Sequence, residues 1–492
     1  LSTWNLNAIP RQATITQAQL RLYLESSSSG TSSSIGLHRQ TRTNSISATW
    51  NTYDGANAWS TPGGDFVATP ERTNANVGPA PGTYSWLVTK LVTGWHTGTI
   101  PNNGMLLKAT DESTGNLLTF TAYDAAANEP ALWIWWTHQW GRHPYFKFES
   151  QELAERLDLS VNVANGNVLV GASDIAVAGT GLDFALTRTY NSLDPTTRRF
   201  GRGTSWIAGL VLHEDGGVVY YGDTGEKAHF IRNDDGSYQR PMGFDATLVR
   251  NGDGGYTLTD HASSVKEQFR SDGRLTSIED PNGNRITFAL NASGFPSLIT
   301  DTQGRTWTLR YNAQNLIDLI TESASSRTWA YEYDANGNLI TYTNAVGGIT
   351  RYYYYSIAPN YRLSMVITPR GQRTTFAYDD IGGTGRILSI RRETSSGVGP
   401  LTEFIYNEGS TVVKDPNGNQ TTHYYDSSLR PTRTVDPLGN SVSATYTSNS
   451  NLETYTGGTS AVTQNGYDTN FNLTSARMPT GATTRWEYSS PT

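Results

Sequence analysis

A turn signal that returns every 21 residues dominates the C-terminal half of the chain. The sequence DPNGN at 280–284 is followed by DTQGR at 301–305, and DPNGN at 415–419 is followed by DPLGN at 436–440. Both intervals are 21 residues, and Tyr-Asp pairs such as that at 333–334 lie between the turns. A fixed period of this size predicts a repeat architecture, in which each unit buries its apolar face by stacking on its neighbours.

Each unit has the pattern of two strands joined by turns. Alternating runs such as ITF at 286–288 and TTF at 374–376 follow the first turn of a unit. Within a turn, Asp accepts backbone N–H groups, Pro fixes φ, and Gly adopts positive φ. We therefore interpret the recurring turn residues as structural: Asp280, Pro281, Gly283, Asp301, Gly304, Asp415, Pro416, Gly418, Asp436, Pro437 and Gly439. Two antiparallel strands per unit predict a long continuous ribbon of sheet.

The composition agrees with an all-β protein. The 492 residues include 27 Tyr, 13 Trp and 48 Gly, and only 16% are charged. Aromatic residues among frequent turn formers are typical of strands. The net charge of −7 argues against nucleic acid as a partner, because a phosphate-binding face needs clustered Lys and Arg. The chain has no Cys, which excludes disulfides and thiolate metal sites, and no apolar run predicts a membrane span.

The N-terminal part of the chain does not share the 21-residue period. Short alternating runs such as 18–24 predict a β-sandwich or jelly roll there. One short helical turn is predicted at 88–95, and 149–157 is the one candidate for a helix. The sequence predicts four segments: a jelly roll at 1–137, a linker at 138–156, a non-repeating opening module at 157–270, and repeats at 271–492.

The repeat residues resemble the Rhs/YD-repeat family of wall-associated proteins, polymorphic toxins, insecticidal toxin shells and teneurins. The similarity covers about residues 160–492 and is clearest in YEYDANGNL at 331–339. The runs VNVANGN at 161–167 and LTRTYNS at 186–192 resemble the module that precedes Rhs repeats. In that family the strands spiral into a hollow β-shell. The resemblance therefore implies an all-β chain with a spiralling antiparallel β-sheet shell.

The first segment resembles the DNRLRE domain family, a jelly roll related to carbohydrate-binding modules. The matching runs are ATWN at 48–51, GGDF at 63–66, YSW at 84–86, NGMLLK at 103–108 and NEPAL at 128–132. Two departures are visible: the family's strands upstream of Trp4 are missing, and Leu87 stands where Asp is expected. A missing first strand leaves an unpaired edge, which an upstream segment or another chain would fill.

Tryptophan residues of the first segment are candidates for sugar stacking. Trp50, Trp59, Trp86 and Trp95 each have a flat aromatic face suited to a pyranose ring, although a place in the sandwich core is the default interpretation. Trp59 lies in a predicted loop rich in Gly and Pro. We therefore predict Trp59 as the exposed ligand-binding residue.

No residue set predicts catalysis, a metal site or a cofactor. Rhs toxins cleave their own chain with a buried aspartate pair in an Asp-Pro-x-Gly motif, and 431–439 fits part of that pattern. However, Asn440 stands where a hydrophobic residue is usual, and the repeats continue, so we favour a turn. The acidic turn at 334–338 lacks the EF-hand spacing and its closing Glu, and the eight His are scattered.

These features predict a structural, non-enzymatic protein, secreted or at the cell surface, that forms part of a β-shell or wall and carries a sugar-binding or adhesion module. The alternatives are the carrier portion of a polymorphic toxin and a filament subunit assembled by strand exchange; a polysaccharide-active enzyme would need a carboxylate pair facing a groove. Expected partners are a cell-wall or extracellular polysaccharide, an encapsulated C-terminal toxin, or neighbouring copies. Because the repeats still run at Thr492, we expect a longer protein.

Overall fold

The computed structural model describes the chain except residues 1–2, 11–12, 114, 123, 215, 234, 357–360, 380–383, 394–398, 469–470 and 489–492. The chain divides into two compact units. The first unit comprises Leu1–Gln139, Leu212–Val219 and His229–Gln239. The second unit comprises Trp140–Val211, Tyr220–Ala228 and Arg240–Thr492.

The N-terminal 139 residues of the first unit form two antiparallel sheets. Their described elements are β1 Thr14–Ser27, β2 Ser33–Arg39, β3 Arg72–Val77, β4 Gly82–Leu87, α1 Thr89–Thr97, β5 Met105–Ala109, β6 Leu118–Phe120 and β7 Ala131–Thr137. In one sheet β1 pairs with β4, β6 and β7. In the other sheet β2 lies between β3 and β5.

An apolar core lies between these two sheets. Leu20 of β1 and Trp86 of β4 are buried together with Leu37 of β2 and Met105 of β5. The indole Nε1 of Trp86 donates to the carbonyl of Ile35 at 2.9 Å, so its polar atom is satisfied inside the core. Two sheets that share one core form a β-sandwich, as the alternation in the sequence predicts.

The short helical turn predicted at 88–95 lies within a longer helix, α1 at Thr89–Thr97. It buries Leu91, Val92 and Trp95 against the sandwich core. Gly98 ends the helix with φ 77°, and its N–H donates to the carbonyl of Trp95 at 3.3 Å. This positive φ explains why glycine follows the last helical turn.

The second unit begins with four strands of six to ten residues, which are followed by three strands of two residues each. Their described bounds are β8 Phe148–Ala154, β9 Leu157–Asn162, β10 Val168–Val177, β11 Phe184–Asn191, β12 Thr197–Arg198, β13 Gly201–Arg202 and β14 Thr204–Ser205. Five of these strands pair in the order β14-β11-β10-β9-β8, and we call them the opening sheet. Four further strands follow in the chain: β15 Gly209–Leu212, β16 Val218–Tyr221, β17 Lys227–Arg232 and β18 Tyr238–Gln239.

The helix predicted at 149–157 is wrong, because this stretch forms β8 and the start of β9. Glu149 pairs with Val161 across the hairpin, and Arg156 makes the turn with φ 61°. The Glu, Gln, Leu and Ala residues of this stretch favour a helix. Strand pairing that buries Leu153 overrides this weak local preference.

The rest of the second unit is one antiparallel meander, which we call the long sheet. In the described part of the chain it contains 23 strands, and each pairs with its neighbours in sequence. Their bounds are β19 Ala246–Arg250, β20 Tyr256–Asp260, β21 Lys266–Phe269, β22 Leu275–Glu279, β23 Arg285–Leu290, β24 Pro296–Thr300, β25 Thr306–Tyr311, β26 Ile317–Glu322, β27 Thr328–Tyr333, β28 Leu339–Thr343, β29 Ile349–Tyr354, β30 Leu363–Ile367, β31 Arg373–Tyr378, β32 Ile387–Glu393, β33 Leu401–Asn407, β34 Ser410–Lys414, β35 Gln420–Tyr425, β36 Pro431–Val435, β37 Ser441–Tyr446, β38 Leu452–Thr456, β39 Val462–Tyr467, β40 Leu473–Arg477 and β41 Thr483–Arg485.

The strand starts reproduce the period of the sequence. β35, β37, β39 and β41 begin at residues 420, 441, 462 and 483, which are spaced by 21 residues with one strand between each pair. The prediction of two strands per unit is therefore confirmed. Side chains alternate between the two faces, so Tyr352 is buried with 5% exposure while its neighbour Tyr353 is 42% exposed.

A tyrosine at the end of a strand joins successive parts of the long sheet. Its hydroxyl donates to the first carbonyl of the preceding strand at 2.7 to 3.0 Å; four such bonds join Tyr333 to Ile317, Tyr354 to Leu339, Tyr446 to Pro431, and Tyr467 to Leu452. Each of these tyrosines also lies at a register shift in the pairing with the following strand. Because a β-bulge bends its strand and increases the local twist, the same distortion recurs along the sheet.

Removing one tyrosine hydroxyl tests this bond. Tyr333→Phe leaves the carbonyl of Ile317 without its donor and is expected to lower the free energy of unfolding of the second unit by about 1 kcal/mol. Urea unfolding followed by intrinsic fluorescence measures the change. Tyr353→Phe makes the same chemical change on the opposite, exposed face of the sheet and should leave the unfolding midpoint in place. Equal midpoints for both variants would show that the bond does not stabilise the fold.

Candidate functional site

Backbone and side-chain hydrogen bonds join the opening sheet to the long sheet. Three of them link Val163 to Thr411 at 2.6 Å, Gly166 to Ile387 at 3.1 Å, and Tyr190 to Leu363 at 3.0 Å. At β25 the ring of Phe184 packs on that of Trp307, with 4.4 Å between centroids. The opening sheet therefore covers one face of the long sheet from β25 to β34.

A buried ion pair lies at the centre of this contact. The Nε of Arg188 in β11 donates to the carboxylate of Asp174 in β10 at 2.7 Å. The hydroxyl of Tyr331 donates to the same carboxylate at 2.9 Å, and Arg188 donates to the hydroxyl of Tyr352 at 3.0 Å. The guanidinium also lies 4.9 Å from the ring centroid of Tyr342. Burial opposes the charge of Arg188, but the Asp174 carboxylate outweighs it and raises the pKa of Arg188.

A cavity of about 760 Å³ lies beside the ion pair. Asp174, Arg188 and Tyr352 contribute to its lining, together with the exposed residues Arg156 and Arg370. Because Arg188 and Tyr331 already occupy the Asp174 carboxylate, Asp174 is not available as a free general base in the cavity. We interpret the ion pair as a positioning element that fixes the opening sheet on the long sheet.

The structure places the predicted turn residues between strands of the long sheet. In the turn after β34, Oδ1 of Asp415 accepts the N–H groups of Asn417 and Asn419, both at 2.8 Å. Gly418 has φ 86°, and its N–H donates to the carbonyl of Asp415 at 3.0 Å. The same acceptor pattern recurs at Asp280, Asp301 and Asp436. Glycine φ is likewise positive at Gly283, Gly304 and Gly439.

The two exposed Asp-Pro aspartates do not have the properties of a cleavage pair. A side-chain hydrogen bond from Asn419 lowers the pKa of Asp415, and one from Asn440 lowers the pKa of Asp436. Both carboxylates are therefore ionised at neutral pH. An aspartate pair that cleaves a chain needs one carboxyl group to keep its proton. The bonds of Asp415 and Asp436 instead stay within their own turns.

Of the four candidate tryptophans, Trp50 is 69% exposed, whereas Trp59, Trp86 and Trp95 are buried. Trp59, predicted as an exposed loop residue, is only 8% exposed because its Nε1 donates to the carbonyl of Thr49 at 2.9 Å and its ring packs on Tyr53. Trp133 and Trp135 of β7 are instead 49% and 39% exposed. Their spacing could have revealed them, because residues two apart in a strand share a face.

Trp133, Trp135, Arg21 and Gln19 form a connected surface, which we call the tryptophan face. The two indole centroids are 6.0 Å apart, and the rings are tilted by 45°. The guanidinium of Arg21 lies 3.9 Å from the ring centroid of Trp133. Arg21 also donates to Oε1 of Gln19 at 3.0 Å, and Gln19 lies opposite Trp133 in the pairing of β1 with β7. The contacts place the guanidinium over an aromatic ring.

Acidic side chains gather around Tyr220 in the second unit. Burial, with a smaller contribution from the charge of Asp223, raises the pKa of Glu226 to about 7 and that of Glu267 to about 8. Glu267 forms a side-chain hydrogen bond with Tyr220, and its Oε2 atom is buried. Among the described residues, no group of three or more His, Asp or Glu side chains is arranged to hold a metal ion.

Two family models match the chain. Residues 159–230 match a Domain of unknown function (DUF6531), and residues 271–306 and 318–349 match the RHS Repeat. The chain therefore contains Rhs repeats, and the resemblance inferred from the Tyr-Asp and Gly turn pattern is confirmed. The DNRLRE resemblance of the first segment stays a prediction. No described helix has the length and hydropathy that crossing a bilayer requires.

Two curated relatives of the chain are named as nucleases. The chain is 26% identical over 305 residues to the "tRNA3(Ser)-specific nuclease WapA" of Bacillus spizizenii, covering 53% of this chain and 13% of that protein. It is 27% identical over 313 residues to the "Probable deoxyribonuclease RhsB" of Dickeya dadantii, covering 58% of this chain and 21% of that protein. The chain thus spans about a fifth or less of the length of these relatives.

Two solved structures are also similar to the chain, with low TM-scores. The TcdB2-TccC3-TEV structure aligns with a TM-score of 0.32 and 13% identity, covering 63% of this chain and 18% of that chain. The Photorhabdus luminescens Tc holotoxin pore with the TccC3-D651A mutation aligns with a TM-score of 0.31 and 12% identity, covering 85% and 24% of the two chains.

Breaking the buried ion pair tests its positioning role. Arg188→Met leaves the Asp174 carboxylate buried without its cation and is expected to lower the free energy of unfolding of the second unit by about 3–5 kcal/mol. Arg310→Met removes an arginine from the exposed pair with Asp318 and should leave the unfolding midpoint unchanged. Calorimetry of the two variants provides the comparison. Equal destabilisation by both substitutions would contradict the special role of Arg188.

The acidic cluster predicts stability that falls as the pH rises. The pKa of Glu267 is raised above its ordinary value of 4.5 to about 8, so its contribution to stability is complete below pH 4.5 and is lost as the pH rises through 8. The melting temperature should therefore fall between about pH 4.5 and 8, and it should fall less in Glu267→Gln. Glu332→Gln, at an exposed position, serves as the control. Identical pH profiles for the three proteins would contradict the prediction.

Proposed function

We propose that this chain is the wall-forming, carrier portion of a secreted Rhs-type toxin protein. Its relatives are named as nucleases, yet the similarity covers only 13% and 21% of their length. This chain carries Rhs repeats at 271–306 and 318–349, and its described residues contain no group of three or more His, Asp or Glu side chains arranged to hold a metal ion. In this proposal the chain encloses and delivers a toxin segment, and nuclease-type chemistry belongs to another part of the protein.

A change in the chemistry of one sheet face carries this proposal. Under the opening sheet the face has large apolar side chains, as at Trp307, Tyr331, Tyr352, Phe376 and Ile390. The cross-strand register continues the same face beyond β35, where it carries Thr434, Val442, Ala444, Tyr455, Thr463, Asn465 and Ala476. These side chains are not buried. Apart from Val442 and Tyr455, these residues are small or polar, which suits a face in contact with water rather than with a second packed layer.

Such a face can enclose a polypeptide without binding it tightly. Large apolar contacts would bind a cargo chain tightly, whereas Thr, Ala and Asn side chains offer little area for hydrophobic burial. The opening sheet, fixed by the Arg188–Asp174 pair, closes the covered part of the face. In this proposal the enclosed partner is a toxin segment encoded downstream of the repeats.

We propose a second role for the first unit, namely attachment to a polysaccharide. The supporting observation is the exposure of Trp133 and Trp135 side by side on β7, when Trp86, Trp95 and Trp59 are buried. Flat aromatic surfaces and nearby polar groups are the usual elements of a sugar-binding surface. The similarity of the segment to DNRLRE domains, which are related to carbohydrate-binding modules, favours the same role.

Cysteine labelling tests the proposed wall. The chain has no native Cys, so Ala444→Cys and Thr445→Cys introduce single reporters on opposite faces of β37. In the full-length protein we expect a small maleimide to label both positions. A polymer-linked maleimide should label Thr445→Cys but react slowly with Ala444→Cys, because the polymer cannot enter an enclosed space. Equal polymer labelling of the two positions would show that this face is open and would contradict the carrier proposal.

A further inference from the structure

We infer that the tryptophan face binds a carboxylate-bearing polysaccharide in preference to a neutral one. This inference rests on the proposed attachment role of the first unit and specifies the chemistry of its ligand. Three features of the face support it: the two adjacent exposed rings, the position of Arg21, and the polar groups that surround them.

The two exposed rings provide the contact area. Trp133 and Trp135 keep 49% and 39% of their surface in contact with solvent, although a tryptophan gains a large hydrophobic contribution from burial. Their centroids lie 6.0 Å apart on one edge strand, so a single extended ligand can contact both. The 45° tilt between the rings favours a ligand whose successive rings are themselves rotated, as in a polysaccharide chain, over one flat molecule.

Arg21 supplies a positive charge at the edge of this contact area. Its guanidinium is stacked on Trp133 at 3.9 Å and lies 5.8 Å from the Trp135 ring centroid. Within the described residues Arg21 forms no ion pair with a carboxylate; its side chain donates only to the neutral Gln19 amide. A guanidinium binds a carboxylate through parallel N–H bonds, and its fixed orientation reduces the entropy lost on binding. The charge is therefore available to an acidic sugar.

The neighbouring positions favour a sugar over a nucleic acid or another polyanion. Gln19 lies opposite Trp133, and Ser85 lies opposite Arg21, so amide and hydroxyl groups border the rings. Among the residues of β1, β4 and β7, Arg21 is the only Lys or Arg. A phosphate backbone needs several cations along its path, whereas one charge beside two rings suits a carboxylate carried on a sugar unit.

Binding of two polymers with one backbone provides the test. The full chain is immobilised, and its affinity is measured for polygalacturonate and for the same polymer after methyl esterification, which removes the charge. We expect polygalacturonate to bind about tenfold more tightly, a difference of 1.4 kcal/mol. Arg21→Gln should abolish this preference while retaining binding to the esterified polymer. Trp135→Ala should weaken binding to both polymers, and Leu117→Ala, at another exposed position in the same unit, should weaken neither.

The possible outcomes separate the inference from the role on which it rests. Equal affinity of the wild-type chain for the two polymers, or an unchanged preference in Arg21→Gln, would overturn the acidic specificity and leave polysaccharide attachment standing. Failure to bind either polymer, or full affinity in Trp135→Ala, would overturn attachment through this face. Equally tight binding of polyglutamate would show that charge alone is recognised, and would also overturn the inference.

Discussion

The hydrogen bond from a repeat tyrosine to the first carbonyl of the preceding strand determines how the long sheet is built. At Tyr333 this bond coincides with a register shift, so the residue that distorts its strand also secures it to the neighbour. The next residue, Asp334, starts the turn by accepting two backbone N–H groups. In the Tyr-Asp pair, the tyrosine therefore bonds the strand to its neighbour and the aspartate starts the next turn. Repetition of the pair gives successive units a similar bend.

The opening sheet gives one part of this repeated surface a different environment. Its contacts reach β34, and up to that point the covered face of the long sheet carries large apolar side chains. Beyond β35 the same face carries mostly small or polar side chains, with Val442 and Tyr455 as exceptions, although the backbone pairing continues unchanged. Side-chain choice, rather than backbone geometry, therefore separates the part of the long sheet that forms a core from the part that suits a solvent-facing wall.

Periodicity predicted the architecture well, because strand alternation and turn chemistry are local. The 21-residue period, the two strands per unit and the turn at Asp415 all follow from residues close in sequence. Features that depend on distant partners were missed. Strand pairing overrode the helical preference of 149–157. The Trp59 indole is held in a buried position by its hydrogen bond to the carbonyl of Thr49, ten residues earlier. The Arg188–Asp174 pair and the contact of Arg21 with Trp133 likewise join residues that no local motif connects.

The pairing of every long-sheet strand with its sequence neighbours also bears on how the protein forms. Each new strand closes only a short loop, so its entropic penalty is small and does not grow with the length of the sheet. Such a sheet can assemble by adding one strand at a time during synthesis of the chain, because each strand pairs with the strand that precedes it in sequence. The opening sheet, which precedes the repeats in the chain, would then be available as a template for the first strands.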